Sequence, residues 1–129
     1  MLKAIDLQPH NGFYAEAMTR IYEKSGHAGR ARAEAARAAE LLPGSANSQR
    51  LAARFAVKAG DEPSARYWFG RMVAADPQSA AALAEAALFH AAVGDLARAD
   101  ALLVELQRTG STNPEALRLA DKAIELVGG

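Results

Sequence analysis

The 129-residue chain balances 15 Lys plus Arg against 15 Asp plus Glu and contains no cysteine. Its length suits one domain with a real core, its neutrality argues against a basic nucleic-acid binder or an acidic solvating tail, and the missing thiols exclude a disulfide framework, a thiolate zinc site and a Cys nucleophile. Aromatic residues make up 6% of the chain and Ala about a quarter, so helix propensity dominates and an all-α fold is expected.

The opening Met1-Leu2-Lys3-Ala4-Ile5-Asp6 places an acid where a signal peptide keeps its apolar run, so no targeting segment is visible. The compartment stays open between cytoplasm and periplasm. Asn11 is suited to cap a helix over Gly12–Ser25, which Gly26 ends; His27 is then suited to cap a second helix, Ala28–Leu42, stopped by Pro43. Ser45 caps Ala46–Ala59, closed by Gly60, and Asp61 opens Glu62–Ala75, where Pro63 is tolerated in the first turn and Pro77 stops the chain. Ser79 caps Ala80–Val93, closed by Gly94, and Asp95 opens Leu96–Thr109. After the loop Gly110-Ser111-Thr112, Asn113 caps Pro114–Val127, followed by Gly128. The most apolar stretch, Ser79 to Val93, is mostly Ala and carries Glu85 and His90, so no membrane insertion is expected.

These elements repeat. Gly26, Gly60, Gly94 and Gly128 are thirty-four residues apart, as are Ala31, Ala65 and Ala99, the prolines Pro9, Pro43 and Pro77, and the caps Asn11, Ser45, Ser79 and Asn113. The period divides the chain into repeats at 12–45, 46–79 and 80–113, with a last helix at 114–129. Residues 1–11 match the tail of a preceding second helix, Ala4 falling on Ala38 and Leu7 on Leu41. The chain therefore reads either as cut from a longer array or as beginning with a relic half-turn. In the last helix, Leu117, Ala120 and Ile124 are expected to cover the third repeat. Glu115, Arg118, Lys122 and Glu125 then face water, as a terminal cap requires.

A period of this length, with Tyr22, Gly26, Ala31, Ala38 and Pro43 in the first repeat, Gly60, Asp61, Ala65, Phe69 and Pro77 in the second and Gly94, Asp95, Ala99 and Leu103 in the third, resembles the tetratricopeptide repeat (TPR) family. The likeness covers nearly the whole chain. Departures are the tryptophan position, held by Ala15, Gln49 and Leu83, the small position of the first helix, held by Thr19, Ala53 and Ala87, and Ser111 where the third repeat wants Pro. The resemblance implies a right-handed α-α superhelix of antiparallel helix pairs, a TPR solenoid that binds protein or peptide along the first helices.

Little in the sequence suggests catalysis or a cofactor. His10, His27 and His90 lie in different repeats without metal-ligand spacing, and no phosphate-binding glycine loop or nucleophile-elbow motif occurs. His90 reads as a half-buried interhelical residue. Within Tyr67-Trp68-Phe69, Phe69 is expected to enter the core while Tyr67 faces outward. Arg30, Arg32 and Arg37, interleaved with Glu34 and Glu40, read as surface ion pairs.

The resemblance makes the concave stripe Phe13, Glu16, Arg20, Glu23 and Lys24 in the first repeat and Asn47, Arg50, Arg54, Val57 and Lys58 in the second. The third repeat adds Ala81, Ala84, Glu85, Leu88 and Ala91, and the last helix adds Arg118 and Lys122. Arg20, Arg50, Arg54 and Lys58 form a basic middle suited to an acidic peptide, with the Ala-rich third repeat as a shallow apolar floor; a solvated charged face is the alternative. Some TPR relatives clamp a chaperone's terminal carboxylate with a Lys and Asn set, where this chain has Glu16, Arg20 and Leu51, which disfavours that ligand. The expected function is a non-catalytic adaptor. A self-associating repeat module and a regulatory arm of a larger enzyme or assembly protein are the alternatives.

Overall fold

The computed structural model describes residues 11–128, so the expected half-helix at 1–11 lies, apart from Asn11, outside the described residues. Seven helices follow in order: α1 (Gly12–Lys24), α2 (Ala28–Leu41), α3 (Ala46–Lys58), α4 (Glu62–Ala75), α5 (Ala80–Ala92), α6 (Leu96–Thr109) and α7 (Pro114–Gly128). There is no strand among the described residues, and every helix end falls within one residue of its expected place. The chain groups into two compact units that divide after Ala75, where length alone suggested one.

Local chemistry explains the boundaries. Asn11 Oδ1 accepts from the Phe13 and Tyr14 N–H groups, Ser45 Oγ from Ser48, Ser79 Oγ from Ala82, and Asn113 Oδ1 from Glu115 and Ala116. Asp61 and Asp95 accept from Ser64 and Arg98 at the starts of α4 and α6. Each cap satisfies amides that the helix leaves without an acceptor. His27 differs from the expectation: its side chain makes no capping bond to α2, and its Nδ1 instead lies 3.0 Å from Ser25 Oγ.

Three turns share one geometry. Gly26, Gly60 and Gly94 have φ of 79°, 72° and 86°, a region that side chains with a Cβ resist. Around them the His27, Asp61 and Asp95 amides reach back to the Tyr22, Ala56 and His90 carbonyls at 2.8, 2.9 and 2.8 Å, closing a Schellman turn each time. The fourth member of the glycine column, Gly128, is instead the last residue of α7. The remaining left-handed glycine among the described residues is Gly110, φ 64°, which ends α6.

In the first unit α1 packs on α2, α2 on α3 and α3 on α4. The core is built largely from alanine: Ala15, Ala31, Ala35, Ala38, Ala53 and Ala65 are fully buried, which lets helix axes approach closely, and Phe55, Trp68, Phe69 and Met72 fill the wider spaces. Phe69 and Tyr67 stand as expected, and Trp68 is buried beside Phe69.

In the second unit α5 packs against both α6 and α7, with α6 touching α7 more lightly. The expected covering residues of α7 are partly wrong. Ala116, Ala120 and Ala123 are the buried stripe, while Leu117 and Ile124 stand 44% and 54% exposed. An alanine stripe seats α7 close to α5, and the bulkier Leu117 and Ile124 are carried round the helix to its flank.

Candidate partner-binding face

Two polar contacts tie α1 to α3 in the first unit. Ser48 Oγ, buried at the start of α3, donates to Glu16 Oε2 at 2.7 Å, and further along Lys58 Nζ lies 3.9 Å from Glu23 Oε2. These contacts bring Glu16 and Glu23 of α1 to Ser48 and Lys58 of α3. Phe13 and Val57 are exposed apolar side chains, and Arg20, Lys24, Asn47, Arg54 and Lys58 are exposed polar ones. Arg50 is half-buried.

Charge on this face is largely internally matched. Arg20 pairs with Glu16 at 3.7 Å, one turn apart, and Lys58 pairs with Glu23 while its ammonium sits 5.5 Å from the Phe55 ring centroid. The Lys58–Glu23 pair, exposed at both ends, contributes about 0.2–1 kcal/mol, so a ligand carboxylate can exchange into it at low cost, whereas Glu16 is largely covered and held by Ser48. The sequence pattern identified the cations; it did not show that Glu16 is also anchored by Ser48, a contact that spans 32 residues.

At the edge of the face lies a pocket of about 330 Å³ lined by Glu23, Gly26, Gly29, Arg32, Phe55 and Lys58 among others. Arg32 does not join the local Arg and Glu pattern expected of it. It reaches across to Asp61, whose carboxylate also accepts from the Ser64 hydroxyl at 2.8 Å and the Ser64 amide. The bonds from Ser64, and then the Arg32 guanidinium, hold the Asp61 carboxyl below its ordinary value. Arg37 does pair locally, with Glu34 at 3.3 Å.

In the second unit, Leu88, Glu85 and Ala81 are half-buried, whereas Ala84 and Ala91 are buried and offer no floor to a ligand. Arg118 and Lys122 are exposed on α7. His90 is more buried than expected, 4% exposed, with Nδ1 3.6 Å from Asp95 Oδ2; His27 is exposed, and His10 lies outside the described residues. Among the described residues, no helix is long and apolar enough to cross a membrane.

No family model matches the sequence, and no curated protein matches it. Solved structures do. The crystal structure of MamA protein superposes with a TM-score of 0.72 at 17% identity, over 93% of this chain and 66% of that one, so the chain spans just under two thirds of MamA. The first TPR of Spaghetti (RPAP3), bound to the HSP90 peptide SRMEEVD, superposes with a TM-score of 0.72 at 14% identity, over 98% of this chain and 100% of that one. The chain has the helix-pair fold of TPR proteins.

Proposed function

We propose that this chain is a non-catalytic interaction module whose α1 and α3 face binds an acidic or carboxylate-bearing peptide segment of a partner protein. The observation that supports this most directly is that α1 and α3 meet through the Ser48 to Glu16 bond and the Lys58 to Glu23 pair. On this reading Arg20 of α1 and Arg50, Arg54 and Lys58 of α3 share the face that receives the ligand. Arg50 and Arg54 lie one turn apart, a spacing that suits two contacts to one extended acidic segment.

The structural neighbour solved with SRMEEVD shows that a chain of this fold accommodates an acidic peptide. That ligand is not carried over here, because Glu16, Arg20 and Leu51 stand where the family's carboxylate clamp is expected. The class of ligand is what the basic side chains support. Phe13 and Val57 add exposed apolar area beside the cations, so an acidic segment carrying an apolar side chain fits this face best.

Screening acidic peptides by calorimetry against the full chain tests the reading. Arg50→Glu combined with Arg54→Glu weakens the best binder by at least about tenfold, roughly 1.4 kcal/mol, and added salt weakens the wild type. Unchanged affinity in both measurements, with helicity retained, removes the face from consideration.

A further inference from the structure

We propose that the pocket between the α1–α2 turn and the end of α3 receives one aromatic side chain of the bound acidic segment, with an Asp or Glu beside that ring drawing Lys58 away from Glu23. The inference rests on the reading of the α1 and α3 face given above and adds the residue class that the face selects.

Phe55 is the floor of the pocket. It is 7% exposed and belongs to the core with Ala31 and Ala35, so the surface it offers is fixed before any ligand arrives. Ala28 and Ala59 supply further apolar wall. At about 330 Å³ the space stands at the low end of the range for ligand pockets, about 300–1,000 Å³, and suits one bulky side chain.

Gly29 indicates that the space is used. It lies in the first turn of α2, where glycine weakens a helix relative to alanine, and a Cβ there meets nothing within 4 Å. It is not one of the left-handed glycines, and the thirty-four-residue register puts Pro63 and Ala97 at the same step, so the repeat does not require glycine. Neither packing nor backbone conformation calls for glycine at this place. A ring seated in the pocket does, because a larger side chain on this wall takes up the room the ring needs.

The rim decides what kind of side chain enters. Lys58 faces Glu23 and Arg32 faces Asp61, so the rim is charged yet balanced. An aliphatic side chain gains burial alone, whereas an aromatic ring is also attracted by the two cations. That attraction already operates here, with the Lys58 ammonium 5.5 Å from the Phe55 ring centroid. Arg32 is held by Asp61, which Ser64 also engages, but Lys58 is exposed and its 3.9 Å approach to Glu23 is too long for a hydrogen bond. A carboxylate next to the ring in the ligand therefore takes the ammonium at low cost.

Two synthetic peptides test the proposal: a Ser-Gly carrier holding the core Asp-Glu-Phe-Asp-Glu, and the same peptide with Ala for Phe. Each is titrated by calorimetry into the full chain and into the isotope-labelled chain for amide chemical shifts. The Phe peptide is expected to bind at least about tenfold tighter, with shifts at Gly29 and Ala59 that the Ala peptide does not produce. Gly29→Leu fills the space from an exposed helical position and is expected to reduce the Phe preference to within about twofold, with circular dichroism and melting temperature showing an intact fold. Equal binding of the two peptides by the wild type overturns the pocket; the α1 and α3 face then stands or falls separately, on whether Arg50→Glu with Arg54→Glu weakens both. Binding of neither peptide overturns both readings. A Phe preference that survives Gly29→Leu, or wild-type shifts that leave Gly29 and Ala59 unmoved, places the ring elsewhere and overturns the proposal without reference to how the variant folds.

Discussion

The Gln49 side-chain amide donates to the Ala39 carbonyl at 2.7 Å and so replaces a hydrogen bond that Pro43 cannot make. In an α-helix the carbonyl of residue 39 awaits the amide of residue 43, and proline has none. Gln49 sits in α3, fully buried at the position where the family pattern has tryptophan, and its Nε2 also lies 3.4 Å from the Leu42 carbonyl. A departure from the repeat pattern thus repairs the chain break that the repeat pattern's own proline creates, and it joins α2 to α3.

Gln49→Glu is expected to be strongly destabilising. It sets a carboxylate against two carbonyl oxygens in a buried site, which costs about 3–5 kcal/mol when no cation answers it. Burial and the facing carbonyls raise the new group's pKa, so stability recovers as pH falls through that raised value, where the protonated acid can again donate to Ala39. Urea unfolding of the variant at neutral and mildly acidic pH checks both statements. A variant as stable as the wild type at neutral pH shows that Gln49 does not serve this purpose.

Asp61 gives the opposite sign. Its folded pKa lies below its unfolded one because Ser64 and Arg32 favour the carboxylate, so its contribution is complete above the ordinary carboxylate range and fades as pH drops through the lowered folded value. Asp61→Asn keeps a capping oxygen for α4 but loses the charge that meets Arg32. The variant is expected to melt below the wild type at neutral pH, and the gap between the two melting temperatures closes in acid. A gap that persists unchanged at low pH assigns the effect to capping geometry instead.

The parts of this fold readable from sequence are those set by contacts within one turn of helix. Asn11, Ser45, Ser79 and Asn113 cap because their oxygens reach amides two or three residues on, and Gly26, Gly60 and Gly94 turn because their own φ decides it. Part of what sequence spacing missed depends on residues far apart in the chain. Arg32 leaves the nearby glutamates for Asp61, 29 residues away, and Glu16 is held by Ser48, 32 residues away. His27 occupies the column of two capping aspartates, yet its ring turns to Ser25 and stands edge-on to Tyr22. For the candidate face, the pattern located the cations and the carboxylates Glu16 and Glu23 that meet them, but not the Ser48 hydroxyl that holds Glu16 from α3. On α7 it found an amphipathic helix and chose Leu117 over Ala116 as the buried edge, because hydropathy favours leucine where close helix packing favours alanine.

The glycine column separates two roles that identical spacing conceals. Gly60→Ala forces a Cβ into the left-handed region and is expected to cost about 1–2 kcal/mol. Gly128→Ala sits at the helical end of α7 with open space around its Cβ, and is expected to be neutral or to stabilise by up to about 0.5–1 kcal/mol. Thermal denaturation of the two single variants decides this. Equal losses at both sites contradict the assignment of Gly128 to the helix.

Gly12 looks from sequence like a weak start to α1, and replacing it with alanine looks like an improvement of the helix. The structure predicts a loss. A Cβ on Gly12 runs into Leu42 Cγ and Cδ2, well inside van der Waals contact, so the side chain that follows α2 must be pushed from its place. Overpacking of this kind costs about 1–3 kcal/mol, more than the helix-propensity gain available at a first-turn position. Because Leu42 is the atom source of the clash, Leu42→Ala removes it, and Gly12→Ala made in that background is expected to be neutral or mildly stabilising. Four chemical-denaturation curves, for the wild type, the two single variants and the double, close the cycle and yield the coupling between residues 12 and 42. A Gly12→Ala protein more stable than the wild type, or additive effects around the cycle, shows that Leu42 repacks without cost and that the glycine has no steric task.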